Sequence, residues 1–337
     1  MKRLKLKLIT CLTLLLTALT ANATSYSDIY VFGDSLSDNG NLKALNPSVP
    51  ERFTNGPVAV EVVANALGMT LTPSRHLLGG LTGNNYAIAG AKAVDEDNNE
   101  ATPDINLPTQ VNAFLKIHGG SAPADALYIV LIGGNDIRAA RTLRANALLG
   151  SYTEERAAIK AAEKLISDAI NAERNQINKL INAGARHILV SNAPDIGIIP
   201  ETGIVTNGLV ASAPTATLKK KAATLPVITT SLSKLYNSKL ALNLYYIEQF
   251  TGINLMEYNL ISFTQNQIKY AASNGYTNVK DACIYVFSQG GTPNPGCVAS
   301  APAFPTQITY FFWDEIHPSA TPHYRNGLEM VKVIKRY

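Results

Sequence analysis

Three polar clusters in this sequence each stand directly after an apolar run. Gly33-Asp34-Ser35-Leu36 follows Ile29-Tyr30-Val31-Phe32, and Gly133-Gly134-Asn135-Asp136 follows residues 126–132. Trp313-Asp314-Glu315-Ile316-His317-Pro318 follows Tyr310-Phe311-Phe312. A serine hydroxyl is inert at its own pKa and becomes a nucleophile when a nearby base takes its proton. Asparagine offers an N–H donor without fixed charge, which suits a site where negative charge develops on oxygen. An acid three residues before a histidine can orient the imidazole, and Pro318 stiffens the approach. Singly, each cluster also reads as ordinary punctuation: a Gly-Asp-Ser loop, or an Asn-Asp turn capping the next helix. Together they supply nucleophile, oxyanion donor, acid and base, the parts acyl transfer requires.

The elements that must bring these groups together alternate in type. Residues 29–32, 126–132, 187–190, 253–256 and 310–313 read as strands. Helical patterns occupy 57–67, 153–182, 232–250, 263–272 and 320–334; the second repeats apolar positions at Ile159, Ala162, Ile166, Ala169, Ile170, Ile177 and Ile181. Segments 95–100 and 200–214 read as loops. The alternation predicts an α/β architecture with a mostly parallel sheet and crossovers, and a serine at the C-terminal end of an early strand sits where such sheets place ligands. No linker or internal repeat divides the chain, which predicts one domain over residues 24–337.

The 337 residues are 46% hydrophobic and 16% charged, a globular balance. The formal net charge of +4 is matched by Lys2, Arg3, Lys5 and Lys7, which precede an apolar run ending near Leu19 and a small-x-small site at Ala21-Asn22-Ala23. Residues 1–23 therefore read as a secretory signal peptide cleaved near Ala23, with an apolar run too short to span a bilayer. The remainder has no net formal charge, which argues against nucleic-acid binding, and no transmembrane segment is expected after the leader. Secretion or a periplasmic location follows. In an exported chain Cys283 and Cys297 read as one disulfide, with two free thiols as the alternative.

The motifs resemble those of the GDSL family of serine esterases and lipases, also called SGNH hydrolases. Gly33-Asp34-Ser35-Leu36 matches the first block, Gly133-Gly134-Asn135-Asp136 the Gly-x-Asn-Asp block, and Asp314 with His317-Pro318 the Asp-x-x-His-Pro block. Asn85-Tyr86-Ala87-Ile88-Ala89-Gly90-Ala91 is the best match to the remaining block, with Gly83 as a weaker alternative for its glycine. The resemblance implies a three-layer α/β/α sandwich and a triad of Ser35 as nucleophile, His317 as general base and acid, and Asp314 as orienting carboxylate. It further implies an oxyanion hole of the Ser35 and Gly90 N–H groups with the Asn135 side chain. No metal and no organic cofactor are implied.

The longer block over residues 32–41, the segment Asn192-Ala193-Pro194-Asp195-Ile196-Gly197 and a cysteine-bounded loop before the histidine block resemble the branch of bacterial secreted lysophospholipases, phospholipases A and glycerophospholipid:cholesterol acyltransferases. The expected partner is then a lipid or other ester substrate at a membrane or micelle interface, and the oligomeric state is not read from the sequence. The alternatives are a short-chain carboxylesterase or carbohydrate acetylesterase of the same family, and an inactive lipid-binding relative. No Gly-x-Ser-x-Gly elbow, phosphate loop, dinucleotide fingerprint or zinc-ligand spacing occurs. His76, His118 and His187 read as surface or capping residues, His323 as structural, Asp34 and Asp136 as turn or cap residues, and Lys219-Lys220-Lys221 as a solvated stretch.

Overall fold

A computed structural model describes residues 26–79, 82–95, 104–294, 297 and 309–337. The expected leader over residues 1–23 lies outside the described residues, as do residues 96–100 of the first expected loop.

Four strands, β1 (Ile29–Gly33), β2 (Leu127–Leu131), β3 (His187–Ser191) and β4 (Met256–Tyr258), form one parallel sheet in the order β1-β2-β3-β4. Ile29 pairs with Leu127, Leu127 with His187, and Leu189 with Met256. Residues 85–88 run beside the outer edge of β1, where the Tyr86 N–H donates to the Val31 carbonyl at 2.7 Å and the Ile88 N–H to the Gly33 carbonyl at 3.1 Å.

Side chains alternate across a strand, so each strand feeds two cores. Tyr30, Phe32, Tyr128, Val130, Ile188 and Val190 enter one cluster, while Ile29, Val31, Leu127, Ile129 and Leu189 enter the other. This is why the strands read as continuous apolar runs: both faces are covered. Before β2 the chain forms α1 (Asn41–Leu45), α2 (Ala59–Ala66), a short 3-10 turn (His76–Leu78) and α3 (Leu107–Ile117). Between β2 and β3 lie α4 (Gly134–Ala147) and α5 (Tyr152–Ala183), and between β3 and β4 lie α6 (Pro200–Ser212), α7 (Ala216–Ala222) and α8 (Leu225–Thr251). After β4 come α9 (Leu260–Lys269), β5 (Asn278–Ala282), β6 (Ile284–Tyr285), α10 (Val286–Gln289), β7 (Thr292–Pro293), β8 (Tyr310–Phe312) and α11 (Ala320–Ile334). Helices α3, α4, α5 and α8 pack against one another over the first cluster, and α2 packs with α11 over the second. The expected three-layer α/β/α arrangement is the one observed. Among the described residues no helix is long and apolar enough to cross a membrane.

Several boundaries differ from the sequence reading. Residues 200–214 form helix α6 over most of their length: Pro200 pre-sets the first turn, and the helix ends where Ala213 precedes Pro214. Its apolar side chains do not gather on one face, so periodicity gave no signal. The strand expected at 253–256 is β4 instead, because Gly252 closes α8 in a left-handed conformation and the Leu255 N–H is taken by the Glu248 carboxylate at 2.8 Å. Helix α8 begins at Leu225, seven residues early, with Pro226 in its first turn. Helix α9 starts at Leu260 because the Asn259 side chain caps it by accepting the Ser262 N–H at 3.1 Å.

Candidate active site

Ser35 stands two residues beyond β1, and the approach is tightly built. Gln110 of α3 is fully buried; its Oε1 accepts the Gly33 N–H and its Nε2 donates to the Gly33 carbonyl, both at 2.8 Å. A Cβ on Gly33 would lie 2.2 Å from the Leu131 carbonyl oxygen, so only glycine lets β1 and β2 meet there. Beyond it the chain turns sharply, with the Ser37 and Asp38 N–H groups donating to the Asp34 carbonyl at 3.0 Å. The Asp34 carboxylate accepts the Leu36 N–H at 3.0 Å, the turn role expected of it. Burial pushes that carboxyl up to about 6, against the Leu36 bond and the nearby His317.

The histidine arrives from the other end of the chain. After β8 a tight loop closes through Trp313 N–H to His317 carbonyl and Ser319 N–H to Phe311 carbonyl, both 2.8 Å. Inside it the Asp314 carboxylate accepts the Ile316 and His317 N–H groups at 2.8 and 2.7 Å. The same carboxylate lies 2.9 and 2.8 Å from His317 Nδ1, through its two oxygens. An ionised carboxylate only accepts, so the Nδ1 carries the proton and Nε2 presents a lone pair. That Nε2 lies 2.7 Å from Ser35 Oγ, across 282 positions of sequence. Ser35, His317 and Asp314 are 9%, 4% and 2% exposed, and the Phe53 ring lies 5.2 Å from the imidazole. The structure thus joins the three expected residues in one hydrogen-bonded row.

Asn135 lies in the first turn of α4. Gly133 precedes it with φ 106°, and a Cβ there would lie 2.4 Å from the Tyr236 ring. The Asn135 Nδ2 donates to the Ala91 carbonyl at 2.9 Å, and its Oδ1 accepts from Arg138 Nη1 at 2.9 Å. Asp136 accepts the Ala93 N–H at 3.0 Å, so it braces the segment after Gly90 where a cap of its own helix was expected. Burial pushes the Asp136 carboxyl up to about 6, against that bond. Gly90 turns at φ 90°, between Ala89, held by Asp38, and Ala91, held by Asn135. Among the described residues neither the Ser35 nor the Gly90 N–H meets an acceptor.

Ser35, Asn135, Arg138 and His317 line one cleft whose walls are largely apolar, including Leu36, Ile196, Ile199, Phe263 and Ile316. The segment after β3 reaches the same cleft: Pro194, Asp195 and Ile196 line it, and Asp195 accepts from Gly197, Thr230 and Gln265. His323 is buried nearby. Its Nδ1 accepts the Ala59 N–H at 3.2 Å, and burial pulls it down to about 3, a structural role. His76 lies in the short 3-10 turn with its Nδ1 2.7 Å from Ser74 Oγ, His118 packs on the Tyr30 and Phe114 rings, and His187 opens β3 against Tyr26. Lys221 is not purely solvated, because its ammonium pairs with Glu155 at 2.6 Å.

Cys283 and Cys297 are joined by a disulfide with Cα atoms 5.3 Å apart. Its loop meets the site through Glu315, whose carboxylate accepts the N–H groups of Val286, Phe287 and Ser288 and the Ser288 hydroxyl at 2.8–3.0 Å. Gln110, Asp38, Arg138, Glu201 and Glu315 had drawn no role from the sequence. The available signals were a glutamine placed among the apolar residues Leu107, Val111 and Phe114, and an acid inside the histidine block. Among the described residues no group of three or more potential metal ligands occurs.

Comparison with known proteins places the chain among lipases and acyltransferases by similarity. Over 201 residues, 55% of the chain, it is 34% identical to a phosphatidylcholine-sterol acyltransferase of Aeromonas hydrophila, spanning 51% of that protein. Over 186 residues, 54% of the chain, it is 32% identical to Lipase 1 of Photorhabdus luminescens, spanning 24% of that longer protein. A GDSL esterase/lipase of Arabidopsis thaliana is 26% identical over 322 residues, 86% of the chain and 83% of the plant protein. The family described as GDSL-like lipase/acylhydrolase matches residues 29–324, a stretch that contains Ser35, Gly90, Asn135, Asp314 and His317, and the chain belongs to that family.

Proposed function

We propose that this protein is an exported serine hydrolase of carboxylic esters, acting on lipids as a lysophospholipase or phospholipase A, with acyl transfer to an alcohol as a further outcome. The observation that carries the reading is the row from Ser35 Oγ through the His317 imidazole to Asp314, with contacts of 2.7 to 2.9 Å.

The chemistry follows from those contacts. Ser35 Oγ attacks the ester carbonyl carbon while its proton passes to His317 Nε2. Asp314 stabilises the resulting imidazolium and holds its orientation. The carbonyl oxygen becomes an oxyanion and is received by the Ser35 and Gly90 N–H groups and the Asn135 Nδ2. Collapse expels the alcohol, which takes the proton from Nε2 and leaves an acyl-Ser35. Water, activated by the same Nε2, then releases the acid and restores the hydroxyl. An acceptor alcohol in place of water gives transfer.

The lipid reading rests on the apolar walls around Ser35, which suit an acyl chain, and on the names of the two bacterial relatives, an acyltransferase of phosphatidylcholine and sterol and a lipase. Export rests on the leader pattern over residues 1–23. The test is fatty-acid release from lysophosphatidylcholine micelles by the wild type, Ser35→Ala and His317→Ala. Release is expected from the wild type alone, with either variant down by about 10⁶ in kcat, and Asn135→Ala down by about 10²–10³. A wild type that cleaves short-chain esters and leaves lysophosphatidylcholine intact would contradict the lipid assignment and keep the serine mechanism.

A further inference from the structure

Asn135 is held from both sides by groups of opposite hydrogen-bonding character. The Ala91 carbonyl can only accept, and an arginine guanidinium can only donate. Arg138 stands one helical turn after Asn135 on α4, and its Nη1 donates to Asn135 Oδ1 at 2.9 Å. The amide must therefore turn its oxygen to Arg138 and its nitrogen to Ala91, at 2.9 Å. One Nδ2 hydrogen is used on Ala91, which leaves the second for another acceptor, and Asn135 lines the cleft together with Ser35 and His317.

Arg138 is itself fixed. Its Nε and Nη2 form a fork on Glu201, at 2.9 and 2.6 Å, and Arg141 donates to the same carboxylate at 2.7 Å. Glu201 lies in the first turn of α6, and its N–H donates to the Glu315 carbonyl at 2.8 Å, inside the loop that carries Asp314 and His317. Two guanidiniums share one carboxylate and Arg138 also acts on the buried Asp34 carboxyl, so what polarises the amide is the direct Nη1 contact. It draws electron density toward Asn135 Oδ1 and makes the Nδ2 hydrogens stronger donors.

We infer that Arg138 is a positioning residue for this reaction: anchored by Glu201, it orients and polarises the Asn135 amide so that Nδ2 meets the oxyanion. The inference rests on the serine-hydrolase reading above. Since it acts through Asn135, removing Arg138 costs transition-state stabilisation only while Asn135 is present. Lysine does not replace it, because one ammonium cannot hold the Glu201 fork and the Asn135 oxygen together.

The experiment is a double-mutant cycle on hydrolysis of p-nitrophenyl butyrate by the full-length protein, with Ser35→Ala beside it. Arg138→Met is expected to lower kcat by about 10–100-fold, less than the full loss of one oxyanion donor, with KM unchanged. In the Asn135→Ala background the same substitution is expected to change kcat by less than about 2-fold, the signature of a shared role. Arg138→Lys should recover little. If thermal unfolding shows Arg138→Met to be misfolded, Glu201→Gln frees the arginine from its anchor and should give a smaller kcat loss that also vanishes with Asn135→Ala. Losses that add fully in the double variant, or an Arg138→Met enzyme with wild-type kcat, overturn the inference while leaving the nucleophile in place. Activity that survives Ser35→Ala overturns the serine reading, and this inference with it.

Discussion

Asp38 and Ala89 are 51 positions apart, and the Asp38 carboxylate accepts the Ala89 N–H at 2.8 Å. The same buried carboxylate accepts the N–H groups of Gly40, Asn41 and Leu42 at 2.8, 2.7 and 3.1 Å. One side chain thus fastens the loop that carries Ser35 to the segment that delivers Gly90. Asparagines complete the seam: Asn85 Nδ2 donates to the Ser37 carbonyl at 2.7 Å, and Asn41 Nδ2 to the Asn85 and Ala87 carbonyls at 2.8 Å. The spacing of Ser35 and Gly90, the proposed nucleophile and oxyanion donor, is therefore a property of buried hydrogen bonds between two loops.

Replacing Asp38 tests that seam. Asp38→Ala leaves four N–H groups without an acceptor, three of them on buried residues, and should destabilise by about 2–4 kcal/mol, the range for losing charged hydrogen bonds. Asp38→Asn keeps one carboxamide oxygen and should fall between the two in urea unfolding. Both should lower kcat more than they raise KM, since Gly90 and Ser35 lose their common reference.

Glu173 gives a pH signature. It is fully buried on α5, and Tyr236 donates to it at 2.6 Å while its other oxygen has no partner among the described residues. Burial pushes its carboxyl up to about 8, despite the Tyr236 bond, with Asp136 adding to the rise. A raised carboxyl binds its proton in the folded state after the unfolded chain has lost it, so its contribution is whole below about 4.5 and is lost as pH rises through about 8. Relative to the wild type, Glu173→Gln should therefore gain stability steadily between about pH 5 and 8. The slope approaches 1.4 kcal/mol per pH unit for one full proton. Thermal or urea unfolding across that range checks it; parallel curves for the two proteins would count against a protonated Glu173.

Glu315 predicts a link between the disulfide loop and His317. Its carboxylate holds three successive N–H groups of the loop, while its neighbours Asp314 and Ile316 shape the His317 turn. Replacing both cysteines by serine should cost about 3 kcal/mol in unfolding free energy, as expected for a loop of this length. Glu315→Ala should lower kcat and speed protease cleavage between residues 283 and 297, with the disulfide intact. Unchanged nicking and unchanged kcat would show that the clamp does not reach the site.

What the sequence made legible divides along physical lines. Strands β1, β2 and β3 were readable because burial on both faces leaves unbroken apolar runs, and α5 because its apolar stripe repeats at 3.6 residues. Ser35, Asn135, Asp314 and His317 stood out because each follows such a strand. Helix α6 was hidden because its apolar residues are spread around the axis, and with it went Glu201, whose meaning depends on Arg138 sixty-three positions away. Gln110 and Asp38 were illegible for a related reason: both are polar groups whose work is to satisfy backbone atoms brought close only by folding. Pattern reports faces and spacing; it does not report partners.

The central proposal is that the Ser35 hydroxyl oxygen is the nucleophile that takes up the acyl group. The most direct test is intact-mass and peptide analysis of the full-length protein after treatment with a p-nitrophenyl alkylphosphonate, which traps an activated serine. A single phosphonyl adduct on Ser35, abolished by His317→Ala, is the predicted result. Labelling at another residue, or no labelling of an enzyme that still hydrolyses esters, would contradict it.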